Sequence, residues 1–126
     1  MGYRSEVKIL VRGETSMVQT FKILWYENVR DLKVGYDGHQ AISPDDCGEV
    51  TVYGKRAEWL LEFSDVKWYD HYVDVQAYEK IIDDCPDELY AELVRVGEDT
   101  GDIEHRFGGR GDEDPAFYTH THIARY

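Results

Sequence analysis

Glu58–Ile82, EWLLEFSDVKWYDHYVDVQAYEKII, packs the densest run of large apolar and aromatic side chains in the chain into one strand, one turn and one helix. Trp59, Leu61 and Phe63 fall on one side of the strand. Leu60 falls on the other with Glu58, Glu62 and Ser64, the period-two pattern of a sheet with a buried face. Asp65–Asp70 leads out of the strand, and a helix is expected to begin between Asp70 and Asp74. Val75, Tyr78, Ile81 and Ile82 form its buried stripe, and Pro86 ends it. This stretch is the architectural centre, and the rest of the chain is arranged to cover it.

Working outward toward the N-terminus, Glu49–Tyr53 alternates in the same way, and Gly54-Lys55-Arg56 supplies a turn, so Glu49–Ser64 reads as a β-hairpin. Tyr3–Arg12 reads as another strand, with Val7, Ile9 and Val11 on one side. Ser16 stands as an N-cap with Gln19 completing a capping box, ahead of a helix over Met17–Val29. Its apolar stripe is Met17, Val18, Phe21, Leu24, Trp25 and Val29, widened by Ile23 and Tyr26. Arg30–Gly48 carries turn and breaker residues, with a short alternation at Leu32, Val34 and Tyr36. Toward the C-terminus, Leu89–Val96 reads as a central strand, Gly97–Pro115 as an acidic loop, and Ala116–Tyr126 as a terminal strand. In that strand Phe117, Thr119, Thr121 and Ile123 share one face.

The order is β-α-β-β-α-β, then a loop and a last strand. It predicts an α+β fold of the ferredoxin-like, split βαβ kind, with two helices on one face of an antiparallel sheet and an added C-terminal strand. A chain of 126 residues that is 42% hydrophobic fits one domain, 1–126, with a core that needs no metal or disulfide. Cys47 and Cys85 stand in no metal-binding or redox spacing and read as free thiols in a reducing compartment. The first residues hold no signal-peptide apolar region, and no run approaches the ~20 apolar residues of a membrane span. A cytoplasmic protein is expected. The opening Met-Gly falls short of a myristoylation signal, because Glu6 occupies the position that needs Ser or Thr.

Twenty-six acidic against fourteen basic residues give a net charge of −12 and a pI near 4.7, which argues against direct binding to nucleic-acid phosphates and favours a partner with a basic surface. Glu98, Asp99, Asp102 and Glu104, with Asp112, Glu113 and Asp114, could form an acidic rim that imitates phosphates. Trp68, Tyr69 and Tyr72, with His71, form a turn-borne aromatic group suited to an interface.

Chemistry-bearing motifs are sparse. His120 and His122 share a strand face about 7 Å apart, a separation compatible with a shared metal but with no third ligand fixed by spacing. Arg106-Phe107-Gly108-Gly109-Arg110-Gly111 offers two guanidinium groups on a Gly-rich backbone for an anion, yet matches neither a P-loop nor GxGxxG. The adjacent carboxylates Asp45-Asp46, Asp83-Asp84 and Glu98-Asp99 lack the cleft that acid–base catalysis needs. No GxSxG serine exists, and neither cysteine has a neighbouring histidine in sequence. No catalytic residue and no cofactor are assigned.

The blocks Tyr3-Arg4-Ser5-Glu6-Val7, Asp65-Val66-Lys67-Trp68-Tyr69 with Asp74-Val75, and Val94-Arg95-Val96-Gly97-Glu98-Asp99 with Asp102-Ile103-Glu104 resemble a group of small uncharacterised bacteriophage and prophage proteins. They cover less than half of the chain, and Arg30–Gly48 has no counterpart among them. The resemblance implies a phage origin and expression in a bacterial cytoplasm, and it transfers no catalytic residues. The expected function is a binding protein that occupies a host macromolecule, in counter-defence or host takeover. The alternatives are a small-ligand- or metal-dependent enzyme or a nucleotide-binding protein using Arg106, Arg110, His120 and His122, and an oligomeric virion or assembly component.

Overall fold

A computed structural model describes residues 3–29, 48–99, 101–110, 114–119 and 122–125. The expectations for Arg30–Cys47, Asp112, Glu113 and His120 lie outside the described residues. The chain forms β1 (Ser5–Glu14), α1 (Thr15–Val29), β2 (Glu49–Tyr53), β3 (Arg56–Val66), α2 (Val73–Asp83), β4 (Tyr90–Gly97), β5 (Ile103–Gly109), β6 (Phe117–Thr119) and β7 (Ile123–Arg125). The fold is α+β. A five-stranded sheet runs in the order β2-β3-β1-β4-β5 with every pairing antiparallel, and β6 and β7 form a separate two-stranded sheet.

The expected alternation places the core. Val7, Ile9 and Val11 of β1, Trp59, Leu61 and Phe63 of β3, and Leu93 of β4 meet Val18, Trp25 and Val29 of α1 and Val75, Tyr78, Ile81 and Ile82 of α2, all buried. Tyr78 sits 5.3 Å from Trp25, 5.1 Å from Phe63 and 6.2 Å from Trp68 between ring centroids. The Trp25 indole N–H donates to the Ala77 carbonyl at 2.7 Å, so α1 and α2 are joined by a directional bond as well as by packing. Burial of this apolar surface is the dominant stabilising force.

The opposite sheet face has its own smaller core. Leu10 and Val94 are fully buried beneath Ala116, Phe117 and Ile123, with Leu60 and Val96 at its margin. Ala116–Tyr126 therefore does not extend the main sheet as one terminal strand. Phe117 pairs with Arg125 and Thr119 with Ile123, so both large apolar residues turn inward from a hairpin laid across the sheet.

The fifth strand is instead Ile103–Gly109, inside the stretch expected to be an acidic loop. Its glycines obscure it, yet they are required by close packing. A Cβ at Gly108 would overlap the Ile82 carbonyl oxygen, and one at Gly109, where φ is 70°, would overlap that of Leu89. Gly54 likewise takes φ 65° at the first position of the two-residue turn joining β2 and β3, the positive φ that primed hairpin turns demand.

The start of α1 also differs from expectation. The helix begins at Thr15, and the cap is the Glu14 carboxylate, which accepts from the Ser16 amide at 3.0 Å and the Ser16 hydroxyl at 2.8 Å. These hydrogen bonds from Ser16 hold the Glu14 carboxyl below its ordinary range.

Candidate binding surfaces

The acidic rim expected at Glu98–Glu104 is largely consumed inside the protein. Arg95 Nη2 binds Asp102 Oδ1 at 2.8 Å, and Arg95 Nε binds Glu104 Oε1 at 3.2 Å. The Tyr3 hydroxyl donates to Asp102 Oδ2 at 2.5 Å and accepts from the Asp99 amide at 2.8 Å. The Glu98 carboxylate accepts the Arg4 amide at 2.7 Å. Glu98 and Asp99 remain exposed, as does Asp114, whose carbonyl accepts from Arg12. The carboxylates thus stitch the N-terminal segment to the β4–β5 connection.

The Arg95 bond, aided by the Tyr3 hydroxyl, holds the Asp102 carboxyl down at about 2, and the same pairing raises the Tyr3 hydroxyl and Arg95 above their ordinary ranges. Because the folded value lies below the unfolded one, the stabilisation is complete above the ordinary aspartate range of about 4 and disappears as pH falls toward 2. Asp102→Asn should therefore lower the melting temperature by a few degrees at neutral pH, and the difference should vanish near pH 2; paired thermal melts at the two pH values measure it.

The two arginines proposed to cradle an anion are also engaged. Arg106 binds Glu79 through Nη1 and Asp83 Oδ1 through Nη2 at 2.6 Å, fastening β5 to α2. Burial raises the Glu79 carboxyl and outweighs the opposing pull of Arg106. Arg110 is exposed and donates its amide to the Leu89 carbonyl at 2.7 Å. His122 is exposed, in an open hollow that Arg4, Glu6, Asp65 and Glu98 also line. Among the described residues no group of three or more His, Cys, Asp or Glu is placed to hold a metal ion. No helix among them is long and apolar enough to cross a membrane.

Of the aromatic group at the turn, Trp68 and Tyr72 are buried, each 6% exposed, and belong to the core. Tyr69 is half-buried, and its hydroxyl accepts the Tyr3 amide at 2.6 Å. Only His71, stacked on Tyr69 with centroids 6.0 Å apart, is exposed there.

Among the described residues a different surface is open. A groove of about 580 Å³ runs between α1 and α2, lined by Phe21, Leu24, Trp25, Val29, Val73 and Ala77, with Asn28, Gln76, Lys80 and Asp84 among its polar margins. Its size is that of a small-ligand or side-chain site. Leu24 was expected in the buried stripe of α1, but 58% of it is exposed, and Ile23 beside it is 60% exposed. Trp25 and Val29 are drawn into the core, which turns Leu24 to the groove wall. The sequence signal was the excess width of the α1 stripe, more apolar surface than one sheet face can cover.

Sequence reasoning also missed Glu92. It lies in a run of buried strand residues with no accessible surface, and its carboxylate accepts from the Tyr90 hydroxyl at 2.5 Å and the Ala116 and Phe117 amides at 2.7 and 3.2 Å. His105 Nε2 lies 2.6 Å from its other side. Together with Glu6 accepting the Ile123 amide at 2.8 Å and Lys8 donating to the Ile123 carbonyl at 3.2 Å, it fixes the β6–β7 hairpin over the sheet. A lone acid in an apolar strand was the available signal.

In comparisons with protein-family models, curated proteins and solved structures, nothing matches this chain.

Proposed function

We propose that the chain is a small acidic binding protein that acts by occupying a partner protein's surface, with the groove between α1 and α2 as the contact. The observation that carries this reading is the exposed apolar wall of that groove, where Leu24 of α1 is 58% and Val73 of α2 37% exposed. An exposed leucine and an exposed valine facing one groove, on helices that already fill their sheet face, favour a docking role. Charge selects the occupant. Lys80 and Asp84 offset each other at the groove itself, but Asp87 and Glu88 are exposed just beyond α2 and the whole chain carries −12, so an apolar segment bearing lysine or arginine is the fitting partner.

The resemblance to bacteriophage proteins gives the reading its setting. The partner is a host protein in the bacterial cytoplasm, and the role is counter-defence or host takeover. The strand order β2-β3-β1-β4 supports reading the scaffold as a ferredoxin-like split βαβ sheet with β5 added beside β4.

A synthetic amphipathic helix of leucine and lysine, titrated calorimetrically, should bind the protein. Leu24→Glu should weaken binding about tenfold or more while leaving the fold intact, because Leu24 is mostly solvent-exposed. A matched leucine–glutamate helix binding equally well, or a Leu24→Glu variant binding as the parent does, would contradict the reading.

A further inference from the structure

β5 ends the main sheet among the described residues, and its outer edge carries backbone groups that β4 does not use. The Gly97 amide bonds the Asp102 carbonyl at 2.8 Å and the Arg110 amide bonds the Leu89 carbonyl at 2.7 Å, bracketing the strand in one continuous register with Tyr90 opposite Gly109 and Val96 opposite Ile103. Because N–H and C=O of alternate residues point to opposite sides of a strand, Glu104, Arg106 and Gly108 direct theirs at β4. Ile103, His105 and Phe107 direct theirs outward. The same three side chains are exposed, Ile103 at 45% and Phe107 at 49%.

Such an edge templates another strand unless it is blunted, and this one carries neither proline nor a register shift over its paired length. Its sequence is complementary to its own antiparallel copy. Centred on His105, the self-pairing sets Ile103 opposite Phe107 of a second copy, and Glu104 opposite Arg106 of a second copy, so that no like charges face one another while Glu104 keeps its bond to Arg95 and Arg106 its bonds to Glu79 and Asp83. It also makes His105 and the Ile103/Phe107 positions the hydrogen-bonded pairs, the geometry their outward backbone groups require. The opposite edge, β2, has five residues with Glu49 as its single charge, so no self-register of it pairs opposite charges.

We propose that the protein forms a two-fold dimer through β5, with the two main sheets joined edge to edge into one continuous antiparallel sheet. The partner is a second copy of this chain. The two-fold axis stands perpendicular to the sheet, so all four long helices lie on one face and both α1–α2 grooves open on the same side of the dimer. Each apolar row of Ile103, His105 and Phe107 is continued by that of the other copy.

Sedimentation velocity on the full chain over a hundredfold dilution series should give a species of twice 14.7 kDa that dissociates on dilution. Hydrogen exchange should show the Ile103, His105 and Phe107 amides protected in the concentrated sample and fast in the dilute one. Phe107→Pro removes an outward N–H and a half-exposed ring but no hydrogen bond to β4, so it should shift the species to the monomer mass while the far-ultraviolet circular dichroism is unchanged. A mass of 14.7 kDa at every concentration would overturn the proposal. So would a dimer whose Ile103, His105 and Phe107 amides exchange as fast as those of the monomer, and this exchange measurement decides the matter even where Phe107→Pro does not fold.

Discussion

Glu92→Ala should unfold the β6–β7 hairpin from the sheet and destabilise the whole protein by on the order of 3–5 kcal/mol. The wild-type carboxylate has no accessible surface and meets the Tyr90 hydroxyl, the amides of Ala116 and Phe117, and His105. Alanine leaves those groups facing an apolar cavity, and each unpaired donor costs about 1–3 kcal/mol. The loss then spreads, because Phe117 and Ile123 are the cover over Leu10 and Val94. Glu92→Gln keeps one acceptor oxygen and should fall between the two. Urea unfolding monitored by fluorescence measures the loss, and early exchange of the Ala116 and Phe117 amides in Glu92→Gln locates it. Equal midpoints for wild type and Glu92→Ala would show that the hairpin is held by its apolar contacts alone.

Trp59→Ala should cost a comparable amount, about 3–5 kcal/mol, by a different mechanism. Trp59 has no accessible surface, and its ring lies 5.5 Å from Trp25 and 6.4 Å from Phe21. Deleting it opens a cavity where α1 rests on β3, with helix and sheet both too constrained by neighbouring contacts to close over it. A domain of this size has roughly 5–15 kcal/mol of stability in all, so the variant should melt far below the parent. The effect should be indifferent to salt, whereas the Asp102→Asn effect shrinks as salt screens the partly exposed Asp102–Arg95 pair. Circular dichroism melts at two ionic strengths separate the two.

Period-two and helical patterning made most of the scaffold legible. The face shared by Trp59, Leu61 and Phe63, the strand of Val7, Ile9 and Val11, the helix of Val75, Tyr78, Ile81 and Ile82, and the central position of β4 all follow from burial of one apolar side, and the structure has them so. β5 was hidden because its alternation is Ile103, His105, Phe107 against Glu104, Arg106, Gly108. One row is interrupted by a histidine between its two apolar residues, and the other is charged and paired to α2 and Arg95. The C-terminal hairpin was hidden because the sequence between Phe117–Thr119 and Ile123–Arg125 holds no Gly or Asn to mark a break, while β-branched and aromatic residues run through it.

The surfaces were harder to read than the fold. Charge along a chain does not reveal which carboxylates have a partner: Tyr3 reaches Asp102 from the far end of the chain, and Arg95 reaches it across the β4–β5 connection. An aromatic run does not distinguish core from patch, and Trp68 and Tyr72 went inward while Leu24, counted as core, stayed out. Helical periodicity fixes the direction of a side chain on its own helix. Whether a neighbour covers it depends on how α1 and α2 lie together, which no local pattern encodes.

The proposed docking site is the α1–α2 groove and not the acidic end of the β4–β5 connection. Two-dimensional ¹⁵N–¹H spectra recorded while the leucine–lysine helix is titrated in test it most directly. Shifts should concentrate at Leu24, Asn28, Gln76, Lys80 and the Trp25 indole N–H. Shifts confined to Glu98, Asp99 and their neighbours, with the groove residues unmoved, would contradict it.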